Sequence, residues 1–491
     1  MPLPVSVVVK QHIRSMLSPH SKRSSQALNP PIPSPLAPVY PTLSLPLRSG
    51  SQWDSSFSQL PLEVWVEIFS HCPTDFPRID SQVPPLTLAL VCRTWYHLIA
   101  ATPRLWSCFE VVLQGVGSSQ LVYDGIKRKL QTWLRRSRQH PISFRIVHDY
   151  TGNAPDLRSA ELLTLLLPHA SRWQNVQFHG PSGGLAYLPV TLFEGGLPAL
   201  ESISIHLHRS WSSTFDIGSL KIPWSQLTGL DLQFYQNRIH SLDECFEILS
   251  AARNLTWCTL NANCVFTLPR TTEKPALPSL KSLKLIIQAN DSAASPEESL
   301  LNFLECLSVV DLRAFSLEWL VSRTHDGLEP CWSAFHSRFT DFIQSSASSL
   351  EDLGLAYVPL RDHEIISCLD RLSSLRTLDL KFTLADHHPD PITEDLLLYL
   401  SPPVPLPAMQ RVRQRISTAD HFPVLGNLKL QCCGEHLNQA MLLALIEGRA
   451  AARLRAFELM TAKLLSKDFR ERILHWQKHG YRFSLSTLNI R

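Results

Sequence analysis

From about residue 160 onward one short apolar pattern keeps returning. An apolar residue is followed by two others, an apolar residue, one other, and an apolar residue. It stands at Leu200-Ile203-Ile205, Leu227-Leu230-Leu232, Leu255-Cys258-Leu260 and Leu280-Leu283-Leu285. It returns at Leu350-Leu353-Leu355, Leu375-Leu378-Leu380, Leu425-Leu428-Leu430 and Leu454-Phe457-Leu459, with weaker copies at Trp173-Val176-Phe178 and Leu312-Phe315-Leu317. The closing alternation is that of a strand with one buried face. Helical spacing fills most of the gaps, over 159–167, 243–252, 297–307, 335–345, 362–372, 393–400, 437–448 and 466–479. Counted from Trp173, the first intervals are 27, 27 and 28 residues, and later ones stretch to 38 and 50. One strand–helix unit cannot bury its own apolar face, but a stack of them shares a continuous core. The pattern therefore predicts an α/β repeat.

Repeats of this period and shape predict an irregular leucine-rich-repeat solenoid over 159–491, a horseshoe of strand–helix units. The Asn or Cys expected three positions after the last Leu is found only at Asn263 and Cys433. His208, Tyr235, Gln288, Val358 and Thr383 stand there in other copies, so the curvature should be irregular. Residues alternating with the inward Leu should line the concave face. They include Gln177, His179, Ser204, His206, Asp231, Gln233, Thr259, Asn261, Asp379, Lys381, Lys429 and Gln431, a polar surface of mixed charge suited to a protein substrate.

Upstream, residues 60–106 read as a small helical unit. Pro61 suits a first helical turn, where its missing N–H costs nothing. Leu62, Trp65 and Phe69 make one apolar stripe, with Val64 and Ile68 beside it. So wide an apolar arc must be covered on more than one side. The stretch 73–85 (PTDFPRIDSQVPP) breaks the helix, spacing resumes at Leu86, Leu90, Trp95, Leu98 and Ile99, and ATPRL stops it before Trp106. A further amphipathic helix follows over 121–137, with Val122, Ile126, Leu130, Trp133 and Leu134 on one side, and then a strand through Ile142, Phe144 and Ile146. The expected organisation is a tail over 1–55, the helical unit over 56–110, a linking helix and strand over 111–158, and the repeats over 159–491.

Composition changes this picture little. In 491 residues, 46 Lys and Arg face 43 Asp and Glu, which gives no general case for nucleic acid or an anionic membrane. Residues 1–50 differ: Lys10, Arg14, Lys22, Arg23 and Arg48 stand among ten prolines with no acid. Such a segment buries too little to order itself, and it also fits a transit peptide. The 11 cysteines are irregularly spaced and mostly in apolar patterns, as at Cys92, Cys245, Cys258, Cys306 and Cys368, which reads as reduced, buried cysteine in an intracellular protein. No apolar run is long enough to cross a bilayer.

Catalytic chemistry is hard to assemble. The 18 glycines form no phosphate-binding or dinucleotide loop and no nucleophile elbow. Cys432-Cys433 with His436 is the nearest approach to a metal cluster, but lacks a second pair at usable spacing. His387-His388, flanked by Asp386 and Asp390, reads as a polar loop, and Arg411, Arg413 and Arg415 as an exposed basic run. No active site, metal or cofactor is expected.

The 60–106 unit resembles the F-box. Leu60-Pro61 and Glu63-Val64 match that motif's opening, Ile68-Phe69 the end of its first helix, Val91-Cys92-Arg93 with Trp95 its Val-Cys-Arg-x-Trp segment, and Pro103 to Trp106 its closing Pro-x-Leu-Trp. The whole chain is similar to mushroom-type fungal F-box proteins, through Trp133-Leu134-Arg135-Arg136-Ser137 before a strand, and Leu166-Leu167-Pro168-His169 running into Ser171-Arg172-Trp173. The resemblance implies a non-catalytic adaptor in the cytoplasm or nucleus. Its box would bind the Skp adaptor of a cullin-RING ubiquitin ligase while the repeats capture a protein for ubiquitination. Carried over position by position, the adaptor contacts are Leu60, Pro61, Val64, Ile68, Leu88, Val91, Cys92 and Trp95. The 73–85 loop is longer than in a minimal box, so docking should differ most there. The alternative is a leucine-rich-repeat scaffold with the box as a helical cap on the solenoid.

Overall fold

The computed structural model describes residues 60–73, 75–79, 82–113, 120–148, 158–181, 196–208, 222–234, 240–267, 275–289, 295–309, 311–321, 332–382, 391–402, 420–434 and 437–487. The expected tail, the His387-His388 loop, the Arg411–Arg415 run and His436 lie outside them. The chain divides into two compact units. The first reaches Val112 and resumes through Arg145; the second takes up from Ile146.

Unit one holds α1 (Leu62–Ser70), α2 (Leu86–Ala89), α3 (Arg93–Ala101), a 3-10 turn (Pro103–Trp106), β1 (Cys108–Leu113), α4 (Gln120–Ser137) and the start of β2 (Ile142–His148). Spacing in the 86–99 stretch suggests continuous helix, but two short helices form, because Cys92 is extended and caps α3 with its own sulfur: Trp95 N–H donates to Cys92 Sγ at 3.4 Å. The described residues 75–79 of the 73–85 stretch are stitched to β1 and β2. Ile79 N–H donates to Glu110 O at 3.1 Å, and Glu110 N–H to Pro77 O at 2.8 Å. Cys108 Sγ donates to Asp75 O at 2.7 Å, and the Arg145 guanidinium stacks over Phe76. Burial and the Asp75 charge push the Cys108 thiol up to about 12.

Unit two opens with α5 (Arg158–Leu166) and a 3-10 turn (Leu167–Arg172), then alternates strands and helices. The strands are β3 (Trp173–Pro181), β4 (Ser202–His208), β5 (Gly229–Phe234), β6 (His240–Ser241), β7 (Trp257–Asn263), β8 (Ser282–Gln288) and β9 (Ala314–Leu320). They continue with β10 (Asp352–Ala356), β11 (Thr377–Lys381), β12 (Asn427–Cys432), β13 (Ala456–Thr461) and β14 (Arg482–Thr487). The helices are α6 (Leu242–Ala251), α7 (Pro296–Cys306), α8 (His336–Gln344), α9 (Asp362–Leu369), α10 (Glu394–Leu400), α11 (Gln439–Ala452) and α12 (Lys467–Lys478). From β3 on, neighbours in sequence are neighbours in the sheet, with β6 alone set aside against β7. Every one of these pairings is parallel. A mostly parallel open sheet built from successive strand–helix steps is an α/β solenoid-like fold. All ten copies of the apolar pattern become strands, and β14 adds a step that the pattern does not announce.

The register explains the core. Leu230 meets Cys258, Leu283, Phe315, Leu353, Leu378, Leu428 and Phe457 on successive strands, and all are buried. Stacking like on like lets each strand complete its neighbour's core layer. Helix starts are written locally: Ser241, Thr393, Asn438 and Ser466 each accept a hydrogen bond from a backbone N–H of the first turn. At Ser241 the bond is reciprocated by Glu244 as a capping box.

Three cysteines of the buried-thiol expectation hold: Cys245, Cys258 and Cys368 are buried. Two do not, since Cys92 is exposed at its cap position and Cys306 half-buried at the end of α7. Burial pushes the Cys245 and Cys264 thiols up to about 12, so both stay protonated and unreactive at neutral pH.

Across the longest gap between strands, 382–426, the described residues on either side of 403–419 are joined by Tyr399 stacking on His421 at 4.5 Å and by one buried cation. Arg449 on α11 is 2% exposed. Its guanidinium donates to Leu400 O at 2.8 Å and to Phe422 O at 2.7 Å, and grips the Asp420 carboxylate at 2.8 and 3.0 Å. Both shoulders of the 403–419 segment are thereby fastened to one helix.

Candidate functional site

Two surfaces follow from this architecture, one on each unit. On unit one, α1 and α3 cross through an aromatic cluster. Trp95 lies 4.6 Å from Phe69 and 5.5 Å from Trp65, ring centre to centre. Phe69 is fully buried, and Ile99 and Leu88 join it in the core. Trp106 closes the unit from below: its indole N–H donates to Ile99 O at 2.8 Å. Trp133 of α4 meets its ring edge-on at 5.1 Å, and the Arg136 guanidinium lies 4.3 Å over it. The expected linking helix is thus packed onto the last residue of the box motif. Trp106→Ala should destabilise unit one by about 3–5 kcal/mol, as large aromatic deletions do, read as a lowered urea midpoint for the full chain.

What the cluster leaves outside includes several large apolar side chains. Leu60, Leu62, Val64, Leu90, Val91 and Tyr96 are all exposed, Leu90 at 80% and Leu62 at 58%. Scattered single apolar residues on a surface need no explanation, but here six stand exposed within 60–96, on or beside α1, the α2–α3 turn and α3. Of the contacts expected from sequence, Leu60, Pro61, Val64, Val91 and Cys92 are exposed, and Ile68 and Trp95 are half-buried. Leu88 is a correction. It is 0% exposed and packs inside the unit, so it offers a partner no surface. Leu62, Leu90 and Tyr96 were missed, because helical spacing assigns a residue to a stripe without saying which stripe is left uncovered.

On unit two the alternate residues named from the repeat share one face and fall in register. Gln177 pairs with Ser204, Ser204 with Asp231 and Asp231 with Thr259; further along, Asp379 pairs with Lys429 and Lys381 with Gln431. Two of them are not available as surface. Ser204 is buried, and Asn261 is buried with its amide donating to Phe234 O at 3.1 Å. The others are half-buried.

Part of this face forms a hydrogen-bonded group. His206 Nε2 lies 2.7 Å from Asp231 Oδ2 and 3.3 Å from Ser204 Oγ, and Gln233 donates to Asp231 Oδ1 at 3.0 Å. The His179 ring stacks on that of His206 at 4.1 Å. Burial pushes the Asp231 carboxyl up, but the hydrogen bonds from His206, Gln233 and Ser204 and the His206 charge outweigh it, so the carboxyl sits below its usual range. Serine, histidine and aspartate together suggest nucleophilic catalysis, and the geometry argues against it here. Asp231 and Ser204 meet the same ring nitrogen, whereas a triad needs the carboxylate on one nitrogen and the hydroxyl on the other. Among the described residues no group of three or more His, Cys, Asp or Glu is placed to hold a metal ion. Cys432 and Cys433 are buried at the end of β12. No described helix is long and apolar enough to cross a membrane.

Comparison with known proteins bears on unit one. No curated protein matches the chain. Residues 57–110 match the family model described as F-box-like, so the stretch that carries the exposed apolar face is an F-box-like domain.

Proposed function

We propose that this protein is the substrate-receptor subunit of a Skp–cullin–F-box ubiquitin ligase. The observation that carries this reading is the coincidence of the F-box-like match at 57–110 with an uncovered apolar face on α1–α3. Helix faces of this kind dock into grooves through aliphatic and aromatic anchors. The successive parallel strands of unit two favour the leucine-rich-repeat reading, with the in-register polar face as the surface that recruits a protein substrate. No chemistry is required of the chain itself. Holding a substrate beside a charged conjugating enzyme accelerates transfer through effective concentration. The irregular spacing of the cysteines, mostly within apolar patterns, suits a reducing compartment, cytoplasm or nucleus.

The test is direct. The purified full chain and a Skp-type adaptor are mixed at micromolar concentration and run on gel filtration. Co-elution as a one-to-one complex is the expected result. Separate elution of a folded chain overturns the reading.

A further inference from the structure

Trp257 opens β7, and its side chain stays 37% exposed on the outward face of the sheet. Across the register its neighbour is Gly229. A Cβ on Gly229 would stand 2.3 Å from the Trp257 ring carbons Cε2 and Cζ2. The indole therefore occupies the volume where a β5 side chain would be, laid over bare backbone. That seat requires glycine. It also fixes the direction of the ring, toward β5 and away from β8.

The next residue on the same face of β5 is Asp231, about 7 Å further along the strand at the ordinary rise. Its carboxylate is held ionised by His206, Gln233 and Ser204. No Lys or Arg stands on β3, β4, β5 or β7. The first cation on this face is Lys284 of β8, the register partner of Thr259, on the side from which the ring leans away. An exposed π-face near a carboxylate, on described strands that carry no Lys or Arg, matches a cationic ligand, even with the His206 ring already 2.7 Å from Asp231.

We propose that the β5–β7 face of unit two is a docking site for a cationic side chain, Arg or Lys, carried by an extended peptide segment, with Trp257 as the platform and Asp231 as the counter-charge. A guanidinium or ammonium over an indole is attracted by the ring quadrupole. Asp231 supplies the longer-range field, since its own lone pairs are already engaged within the group. The open face suits one residue of an extended segment rather than an enclosed small molecule. This deepens the substrate-receptor reading and rests on it only for what the peptide belongs to.

The experiment is selection of random dodecapeptides by display against the intact chain, followed by calorimetric titration of the best synthetic peptide. Enriched peptides should share one Arg or Lys, and replacing it by Ala should weaken binding about tenfold, the upper range for a partly desolvated cation–π contact. Trp257→Leu and Gly229→Ala should each cost the same factor, the second by displacing the ring from its seat. Asp231→Asn should cost less and remove the salt dependence. In Trp257→Leu, the Arg or Lys to Ala change in the peptide should cost nothing further. Unchanged melting of each variant confirms that the site rather than the fold was altered. Enriched peptides without a shared cation, or affinity indifferent to Trp257→Leu and Gly229→Ala, overturns the proposal. Adaptor co-elution is measured on the same preparations. Its failure in the parent chain would sink the ligase reading and leave the peptide result standing.

Discussion

Leu90→Asp is expected to abolish co-elution with a Skp-type adaptor while leaving the unfolding midpoint of the chain where it was. Leu90 follows α2 with its side chain almost entirely in solvent, and a charge placed there changes stability by less than about 0.5 kcal/mol. In a complex the same carboxylate would be stripped of water with no partner. An uncompensated buried charge costs about 3–5 kcal/mol, roughly a hundredfold or more in affinity. Val64→Asp, at another exposed apolar position on α1, should behave alike. Leu88→Ala separates surface from core. It too should reduce capture, but through a loss of about 2–5 kcal/mol in stability, visible as a lower urea midpoint. If Leu90→Asp binds as well as the parent, the exposed face is not the docking face.

Arg449→Met should be among the most destabilising single changes in unit two. The substitution keeps most of the apolar volume and removes the charge. It leaves the carbonyls of Leu400 and Phe422 and the carboxylate of Asp420 without their donor. Removing one partner of a buried ion pair costs about 3–5 kcal/mol, and the lower end applies here because Asp420 keeps some contact with water. Urea unfolding measures the loss. A second variant, Arg449→Met with Asp420→Leu, should recover part of it by removing the stranded charge. An unchanged midpoint in Arg449→Met would mean that the two shoulders of the 403–419 segment are held by other contacts.

Much of unit two was legible because its signal is local and repeated. The spacing of Leu227, Leu230 and Leu232 says strand, and the same spacing in the next copy says which strand it meets. The alternate residues then had to share a face, and the register places Ser204, Asp231 and Thr259 side by side. Contacts that repeat nothing were not legible. Arg449 reaches a carbonyl 49 residues away, and no periodicity marks it. Gly229 reads as an ordinary strand glycine until the Trp257 ring is seen above it. In unit one the spacing found the helices and their apolar residues, but it could not divide those residues into inside and outside. Leu88 and Leu90 stand two positions apart with the same chemistry, and one is sealed while the other is bare. That division is made by the packing of α1 against α3 and by Trp106, which is a property of three dimensions.

The unbroken register has a metrical consequence. Adjacent strands stand about 4.8 Å apart, while an extended peptide advances about 3.3 Å per residue. A segment lying across the strands thus meets the sheet as one scale meets another of different pitch, with about three peptide residues to every two strands. Trp257 on β7 and Asn427 on β12 share one register row five strand steps apart, about 24 Å at that spacing. A peptide whose cation rests on the first would bring a residue about seven positions away over the second. The face is in this sense a vernier, and a shift of one residue in the peptide would put every other contact out of coincidence.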